Sequence, residues 1–73
     1  MKKQRKNPPK NFKKLASSPT LEGIQKFISR YYCEKKQIRE METGFSIHNW
    51  DGRKLDDEIL QTSKGFYFGY YEN

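Results

Sequence analysis

The sequence has one cysteine, one histidine and no long apolar run, and each shortage excludes a class of protein. One cysteine cannot close an internal disulfide or build a cysteine-based zinc site by itself. A membrane-spanning helix needs roughly 20 predominantly apolar residues, and no such run occurs here. The basic start of the chain is not followed by the apolar segment of a secretory signal. We therefore expect a cytoplasmic protein of one domain without a membrane span.

Apolar residues are also scarce for a chain of this size. They make up 33% of the 73 residues, and charged residues make up another 33%. A body of about 55 residues buries only about 60% of the surface that its unfolded chain exposes. With no disulfide or evident metal as a staple, the body is expected either to be marginally stable or to complete its core against a partner. A second copy of itself, in a homodimer, would be such a partner.

The positive charge is concentrated at the beginning of the chain, which has a formal net charge of +6 overall. Residues 1–14 hold seven cationic side chains and no acidic one, whereas the remaining residues hold eight cationic and nine acidic side chains. The seven are Lys2, Lys3, Arg5, Lys6, Lys10, Lys13 and Lys14. A stretch of like charge with low hydrophobicity and a Pro-Pro step cannot bury enough apolar surface to order itself. We therefore predict that residues 1–17 form a disordered basic arm.

Residues 18–73 are predicted to form a single small α+β domain. Ser18 and Pro19 suit the start of a helix, and apolar residues then recur at three- and four-residue spacing, which predicts a helix over residues 19–36. Its apolar stripe comprises Leu21, Ile24, Phe27, Ile28 and Tyr31. Later patterns predict strands over 37–42, 45–50, 53–57 and 66–71. Asp51-Gly52 predicts a two-residue type I′ turn. The expected fold is one amphipathic helix packed on an antiparallel sheet of three strands, or four.

The C-terminal segment is unusually aromatic, with five of the chain's eleven aromatic residues within residues 66–71. From Lys64 to Tyr71 the segment resembles the pattern of RNA-recognition-motif domains: a basic residue, glycine, and aromatics at fixed spacing. The resemblance implies that Phe66 and Phe68 stand on an exposed sheet face and stack on bases. However, Tyr67 replaces a small residue and Gly69 replaces the usual valine, and the neighbouring elements of that fold are not predicted. We therefore assign no family.

The same segment has a second interpretation, which we favour. Phe66 and Phe68 would pack under the helix, because the apolar stripe of the helix needs partners. Tyr67 and Tyr71 would then lie on the opposite, open face of the sheet. Gly69 between them would leave a flat gap between two rings, which suits a planar base or a side chain of a partner.

No arrangement of residues predicts catalysis. His48 is followed by Asp51, Asp56, Asp57 and Glu58, but the spacing has no metal-ligand periodicity. Cys33 has no neighbouring base, and the glycines do not form a phosphate-binding loop. We expect no catalytic residue, no metal and no cofactor, and hence a protein that is not an enzyme.

Two functions agree with these features. The first is a small nucleic-acid-binding accessory protein of low sequence specificity, for DNA or RNA. Its phosphate contacts would come from the basic arm, and its base or sugar contacts from Trp50, Tyr67 and Tyr71 on the open face. A tail that merely solubilises the protein is the alternative explanation of the arm. The second function is a protein-interaction module, such as an inhibitor or adaptor of a mobile element, that docks through its uncovered sheet face. An acidic protein surface would then be a partner of the arm.

Overall fold

A computed structural model describes residues 8–72 of the chain and shows one helix packed on a five-stranded antiparallel sheet. The elements in chain order are β1 (Phe12–Ser18), α1 (Leu21–Tyr31), β2 (Gln37–Glu40), β3 (Gly44–His48), β4 (Lys54–Thr62) and β5 (Gly65–Tyr71). The strands lie side by side in the order β1-β5-β4-β3-β2. The α+β fold with a single helix on an antiparallel sheet is thus confirmed. The sheet has five strands, however, and not three or four.

The additional strand comes from the segment that we expected to be disordered. Phe12–Ser18 pairs antiparallel with β5, with Phe12 opposite Tyr71 and Ser18 opposite Phe66. Composition was a poor guide here because one buried ring and a row of backbone hydrogen bonds to a neighbouring strand outweigh the local excess of lysine. Residues 1–7 of the predicted arm lie outside the described residues.

The helix is shorter at both ends than residues 19–36. Thr20, and not Ser18, is its N-cap, because the Thr20 hydroxyl accepts a hydrogen bond from the Gly23 N–H at 3.1 Å. At the other end Cys33 adopts a left-handed conformation with φ of 60°, and its N–H donates to the Arg30 carbonyl. A left-handed residue ends a helix by turning the chain away from its axis. The helix therefore stops at Tyr31.

The strand register assigns each side chain to one of two faces, because side chains alternate along a strand. We call the face covered by α1 the inner face and the opposite face the outer face. Phe68 pairs with Ile59 of β4 and lies on the inner face, and Phe66 packs against the same core. The prediction that Phe66 and Phe68 are core residues is confirmed.

The buried core lies between α1 and the inner face. It consists of Ile24, Ile28, Ile47, Ile59 and Phe68, all of which are at most 1% exposed. Phe27 and Tyr31 were predicted to lie on the buried stripe, but they remain 37% and 50% exposed. Tyr32, just past the last helical residue, was not assigned to the stripe but also packs against the core.

The turn between β3 and β4 also differs from its prediction. The Asn49 N–H donates to the Arg53 carbonyl at 2.9 Å, so three residues and not two form the turn. Gly52 has φ of 95°, whereas Asp51 is not among the described residues with positive φ. A type I′ turn would need positive φ at both central residues. After the turn, β4 continues to Thr62, well beyond the predicted strand end at residue 57.

Candidate functional site

The cationic residues at the start of the chain lead into the edge of the sheet. Lys10 lies in a turn before β1, and Lys13 and Lys14 are the second and third residues of β1. The other four, Lys2, Lys3, Arg5 and Lys6, lie outside the described residues. Because β1 pairs with β5, the last residues of the basic stretch lie beside the aromatic strand β5.

Four side chains of β1 and β5 meet on the outer face, and we call them the outer patch: Phe12, Lys14, Tyr67 and Tyr71. The rings of Phe12 and Tyr71 pack edge to face with centroids 5.3 Å apart. The ammonium group of Lys14 lies 5.6 Å from the centroid of the Tyr67 ring, within the range of a cation–π contact. Tyr67 and Tyr71 are both half-buried. The patch therefore presents one cation and the accessible parts of two phenol rings.

The flat gap that we expected above Gly69 is occupied by the chain itself. A Cβ atom placed on Gly69 would come within 3.0 Å of Cε2 of Phe12 and within 2.0 Å of the Lys13 carbonyl oxygen. Phe12 thus covers the space between Tyr67 and Tyr71, and its own ring is only 7% exposed. The expectation of an open, flat gap between Tyr67 and Tyr71 is therefore wrong, because Phe12 of β1 fills that space.

Trp50 is not part of the outer patch. It lies in the β3–β4 turn, is 67% exposed, and donates its indole N–H to the Lys35 carbonyl at 2.9 Å. It borders a groove of about 430 Å³ between α1 and β2, which we call the α1–β2 groove. This groove is at the opposite edge of the sheet from β1. The prediction that Trp50, Tyr67 and Tyr71 share one face is therefore wrong, because that prediction extended the strand alternation into a turn.

His48 is buried on the outer face, and both of its ring nitrogens lie within hydrogen-bonding distance of other groups of the protein. Its Nδ1 lies 3.2 Å from the Gly52 carbonyl oxygen and its Nε2 lies 2.8 Å from the Ser46 hydroxyl. A carbonyl can only accept, so Nδ1 carries the proton and Nε2 accepts from Ser46 in the neutral ring. Asp51 instead accepts a hydrogen bond from the Arg53 N–H. Among residues 8–72 no group of three or more His, Cys, Asp or Glu side chains is placed to hold a metal ion.

A second polar pair lies beneath the end of the helix. The Tyr32 hydroxyl donates a short hydrogen bond to Asp57. Burial, together with the nearby carboxylate of Asp57, raises the pKa of Tyr32 well above its ordinary value. This contact ties the segment after α1 to the middle of β4.

The exposed rings of α1 were missed because the sequence pattern placed them in the core. Phe27 and Tyr31 stack with ring centroids 6.1 Å apart, and both also contact the ring of Phe68. Their spacing of four residues signals a shared helix face. It does not reveal that this face lies at the margin of the core. The sequence therefore predicts that the two rings are neighbours, but it does not predict how deeply they are buried.

The order of helices and strands also differs from the one that the resemblance to RNA-recognition motifs implies. A strand does precede the helix, but four consecutive strands follow it and no second helix occurs among residues 8–72. The stacking positions Phe66 and Phe68 face α1 and are not displayed. The aromatic pattern of the segment is thus a core pattern in this protein.

Comparisons with known proteins assign no family. No family model matches the chain, and searches of curated proteins and of solved structures found no match. Within the described part of the chain, no helix has the length and apolarity that crossing a bilayer requires.

Proposed function

We propose that this protein is a non-enzymatic nucleic-acid-binding accessory protein of low sequence specificity. The observation that carries the proposal is the continuity between the basic segment and the outer patch. Seven cations without an acid occupy residues 1–14, and this segment enters β1 beside Tyr67 and Tyr71. Cations that contact phosphates supply affinity without reading sequence.

The rest of the body supports low specificity. The helix carries Lys26 and Arg30, but Lys26 pairs with Glu22 at 3.6 Å, and one side of the helix is packed on the sheet. It therefore lacks the strongly basic, exposed face with which a helix enters a groove of DNA. Base or sugar contacts would come from Tyr67 with Lys14, because a ring and an adjacent cation together suit a nucleotide.

The salt dependence of binding tests the role of the basic segment. If all seven cations contact phosphates, log K should fall with log salt with a slope of about −5 for single strands and about −6 for duplex DNA. Replacing Lys2, Lys3, Arg5 and Lys6 by glutamine should reduce the slope for single strands by about 3. The matched control replaces four exposed cations of the body by glutamine: Lys26, Arg30, Arg53 and Lys54.

Equal loss of affinity in the two four-cation variants would contradict the proposal, because binding would then follow net charge alone. Substitution is preferable to deleting residues 1–14, since that deletion would remove the first three residues of β1 with the buried Phe12. Affinities are measured by fluorescence anisotropy with labelled single- and double-stranded oligonucleotides.

A second variant tests the outer patch. Tyr67→Ala should weaken binding to single strands more than binding to duplexes, because stacking on a base is worth roughly 1–3 kcal/mol. Tyr67→Phe keeps the ring and should bind like the original protein. Tyr67 is preferable to Tyr71 here, because Tyr71 packs against Phe12 and its loss would loosen β1.

The alternative function, a protein-interaction module that docks through the uncovered sheet face, has less support. Near the centre of the outer face Ser46, Leu60 and Thr62 are already buried. A docking surface needs accessible apolar anchors, and among residues 8–72 the most exposed large apolar side chain is instead Trp50 at the α1–β2 groove.

A further inference from the structure

The α1–β2 groove exists because the helix does not cover the whole inner face. The backbone of α1 lies closest to β1 and β5, at one side of the sheet, whereas β2 is the edge strand at the other side. The lining residues are Glu22, Gln25, Lys26, Ile28, Ser29, Lys35, Lys36, Ile38 and Trp50. A groove bounded by a helix and an edge strand is a typical place for an extended peptide to add to a sheet.

The backbone of Ile38 faces this open edge. The Met41 N–H donates to the Gly44 carbonyl at 2.8 Å, which makes Met41 and Gly44 a hydrogen-bonded pair of the β2–β3 ladder. Such pairs alternate with non-hydrogen-bonded ones in an antiparallel ladder. Arg39 with Ser46 is therefore the next hydrogen-bonded pair, and Ile38 with Ile47 is not one. The N–H and C=O of Ile38 thus point away from β3, where no described strand pairs with them.

The two edges of the sheet are not equivalent. The pairing of β1 is interrupted by a bulge between Lys14 and Ala16, and this edge carries two adjacent lysines. Bulges and lysines are features that protect an edge strand from further pairing. The edge strand β2 is short, with four residues that include Arg39 and Glu40, but its pairing with β3 has no bulge. Strand addition is therefore favoured at β2.

The groove also offers an apolar contact beside the edge. Trp50 is 67% exposed, yet its indole ring is oriented by the hydrogen bond from Nε1 to the Lys35 carbonyl. Ile38, which lines the same groove, is half-buried. An exposed but oriented tryptophan is a favourable anchor, because little conformational freedom is lost when a partner packs on it.

The charge of the groove selects the kind of peptide. Three lysines line it against one glutamate, Glu22. The Lys36 ammonium is already engaged by Glu34 at 3.3 Å and by Asn49 at 2.7 Å. Lys35 is exposed, and Lys26 pairs with Glu22 at 3.6 Å through two side chains that are both largely exposed, so that a carboxylate of a partner can compete for it. With three lysines against one glutamate, the lining is complementary to acidic side chains and not to the basic N-terminal segment of a second copy.

We propose that the edge of β2 binds an extended acidic segment of a partner protein. The segment adds a sixth strand beside Ile38, places an apolar side chain in the α1–β2 groove against Trp50, and directs acidic side chains to Lys26 and Lys35. This site is distinct from the outer patch and does not depend on nucleic-acid binding.

The test uses the ¹⁵N-labelled full chain and a capped, soluble peptide of about nine residues. Because side chains alternate along a strand, the peptide has isoleucine at its central groove-facing position, glutamate two residues away on either side, and threonine at the intervening positions. Titration should shift the backbone amide signals of Ile38 and its neighbours in β2 together with the indole N–H signal of Trp50. The signals of Tyr67 and Tyr71 should stay in place. A peptide with lysine in place of glutamate should bind about tenfold more weakly, because two attractive charge pairs become repulsive.

Two N-methylated versions of the peptide provide a sharper control. Methyl groups on every second amide block hydrogen bonding on one side of the added strand, and shifting them by one residue blocks the other side. One version should lose binding about tenfold or more, and the other should bind like the unmodified peptide. Trp50→Ala should weaken binding, whereas Tyr31→Ala, which removes another exposed ring that does not line the groove, should not.

Three results would overturn the proposal. The first is no shift at millimolar peptide, and the second is equal binding of both N-methylated versions. The third is movement of the Ile38 signal on dilution of the protein alone, which would assign the edge to a second copy. In the first case, shifts at Ile38 and Trp50 on adding a single-stranded oligonucleotide would assign the groove to nucleic acid instead.

Discussion

Phe12 and Tyr71 are opposite residues of β1 and β5 whose rings pack edge to face, at an interplanar angle of 72°. This contact joins the beginning of the described chain to its end. It also positions Phe12 over Gly69, so that the end of the basic segment is fixed on the outer face. The fifth strand of the sheet is therefore formed by residues that we expected, from their composition, to be disordered.

The first prediction concerns Phe12. Phe12→Ala should lower the free energy of unfolding by about 3 kcal/mol, because it removes a buried ring and leaves a cavity beside Tyr71. Urea denaturation followed by circular dichroism measures this change. Leu15→Ala is the matched control in the same strand; Leu15 is 38% exposed and should cost less than about 1 kcal/mol. Equal effects of the two substitutions would show that Phe12 is not buried.

The second prediction concerns the close approach of β1 to Gly69. A Cβ atom at this position would lie 2.0 Å from the Lys13 carbonyl oxygen, which is too close to be accommodated without a backbone shift. Gly69→Ala should therefore destabilise the protein by about 1–3 kcal/mol and speed amide exchange in β1. Ser17→Ala, at an exposed position of β1, is the control. Unchanged exchange in β1 would argue against this pairing of the two strands.

The third prediction follows from the raised pKa of Tyr32. Its neutral phenol is stabilised in the folded state, so the contribution to stability is fully present below the unfolded pKa of about 10 and is lost as the pH rises above it. Tyr32→Phe should cost about 1 kcal/mol at neutral pH through the lost hydrogen bond to Asp57. Between about pH 9 and 11 the original protein should lose more stability than the variant.

The measurement is urea denaturation at several pH values, with Tyr70→Phe as the control. Tyr70 is 37% exposed, so this substitution should leave the stability at neutral pH within about 0.5 kcal/mol. Parallel pH profiles for the original protein and for Tyr32→Phe would contradict the role assigned to the contact with Asp57.

The fourth prediction concerns the tautomer of His48. Nuclear magnetic resonance of the ring nitrogens at a pH where the ring is neutral should find the proton on Nδ1, because that atom faces the Gly52 carbonyl. Ser46→Ala would remove the donor to Nε2 and should cost about 1–2 kcal/mol, since a buried acceptor would be left without a partner. A neutral ring protonated at Nε2 would refute this arrangement.

The helix and the two faces of β5 could be predicted from local patterns, because the apolar residues in each recur at the spacing of that type of secondary structure. Ile24 and Ile28 repeat at helical spacing, and Phe66 and Phe68 alternate with Tyr67; all four positions of the core side were predicted correctly. The strand β1 and the length of β4 could not be predicted in this way. Phe12 is an isolated apolar residue among lysines, and only its neighbour on β5 makes its burial favourable.

The candidate site shows the same division. The sequence by itself determines the separation of charge, with seven cations before residue 15 and a nearly neutral body after it. It also determines the helical and strand periods, because these depend on residues a few positions apart. Only the tertiary structure decides that Phe12 fills the gap at Gly69, that Trp50 borders the α1–β2 groove, and that β2 is an edge. These features depend on which strands, distant in sequence, become neighbours in the sheet. The contacts that stabilise this arrangement form between distant residues, so no short segment of the chain predicts it.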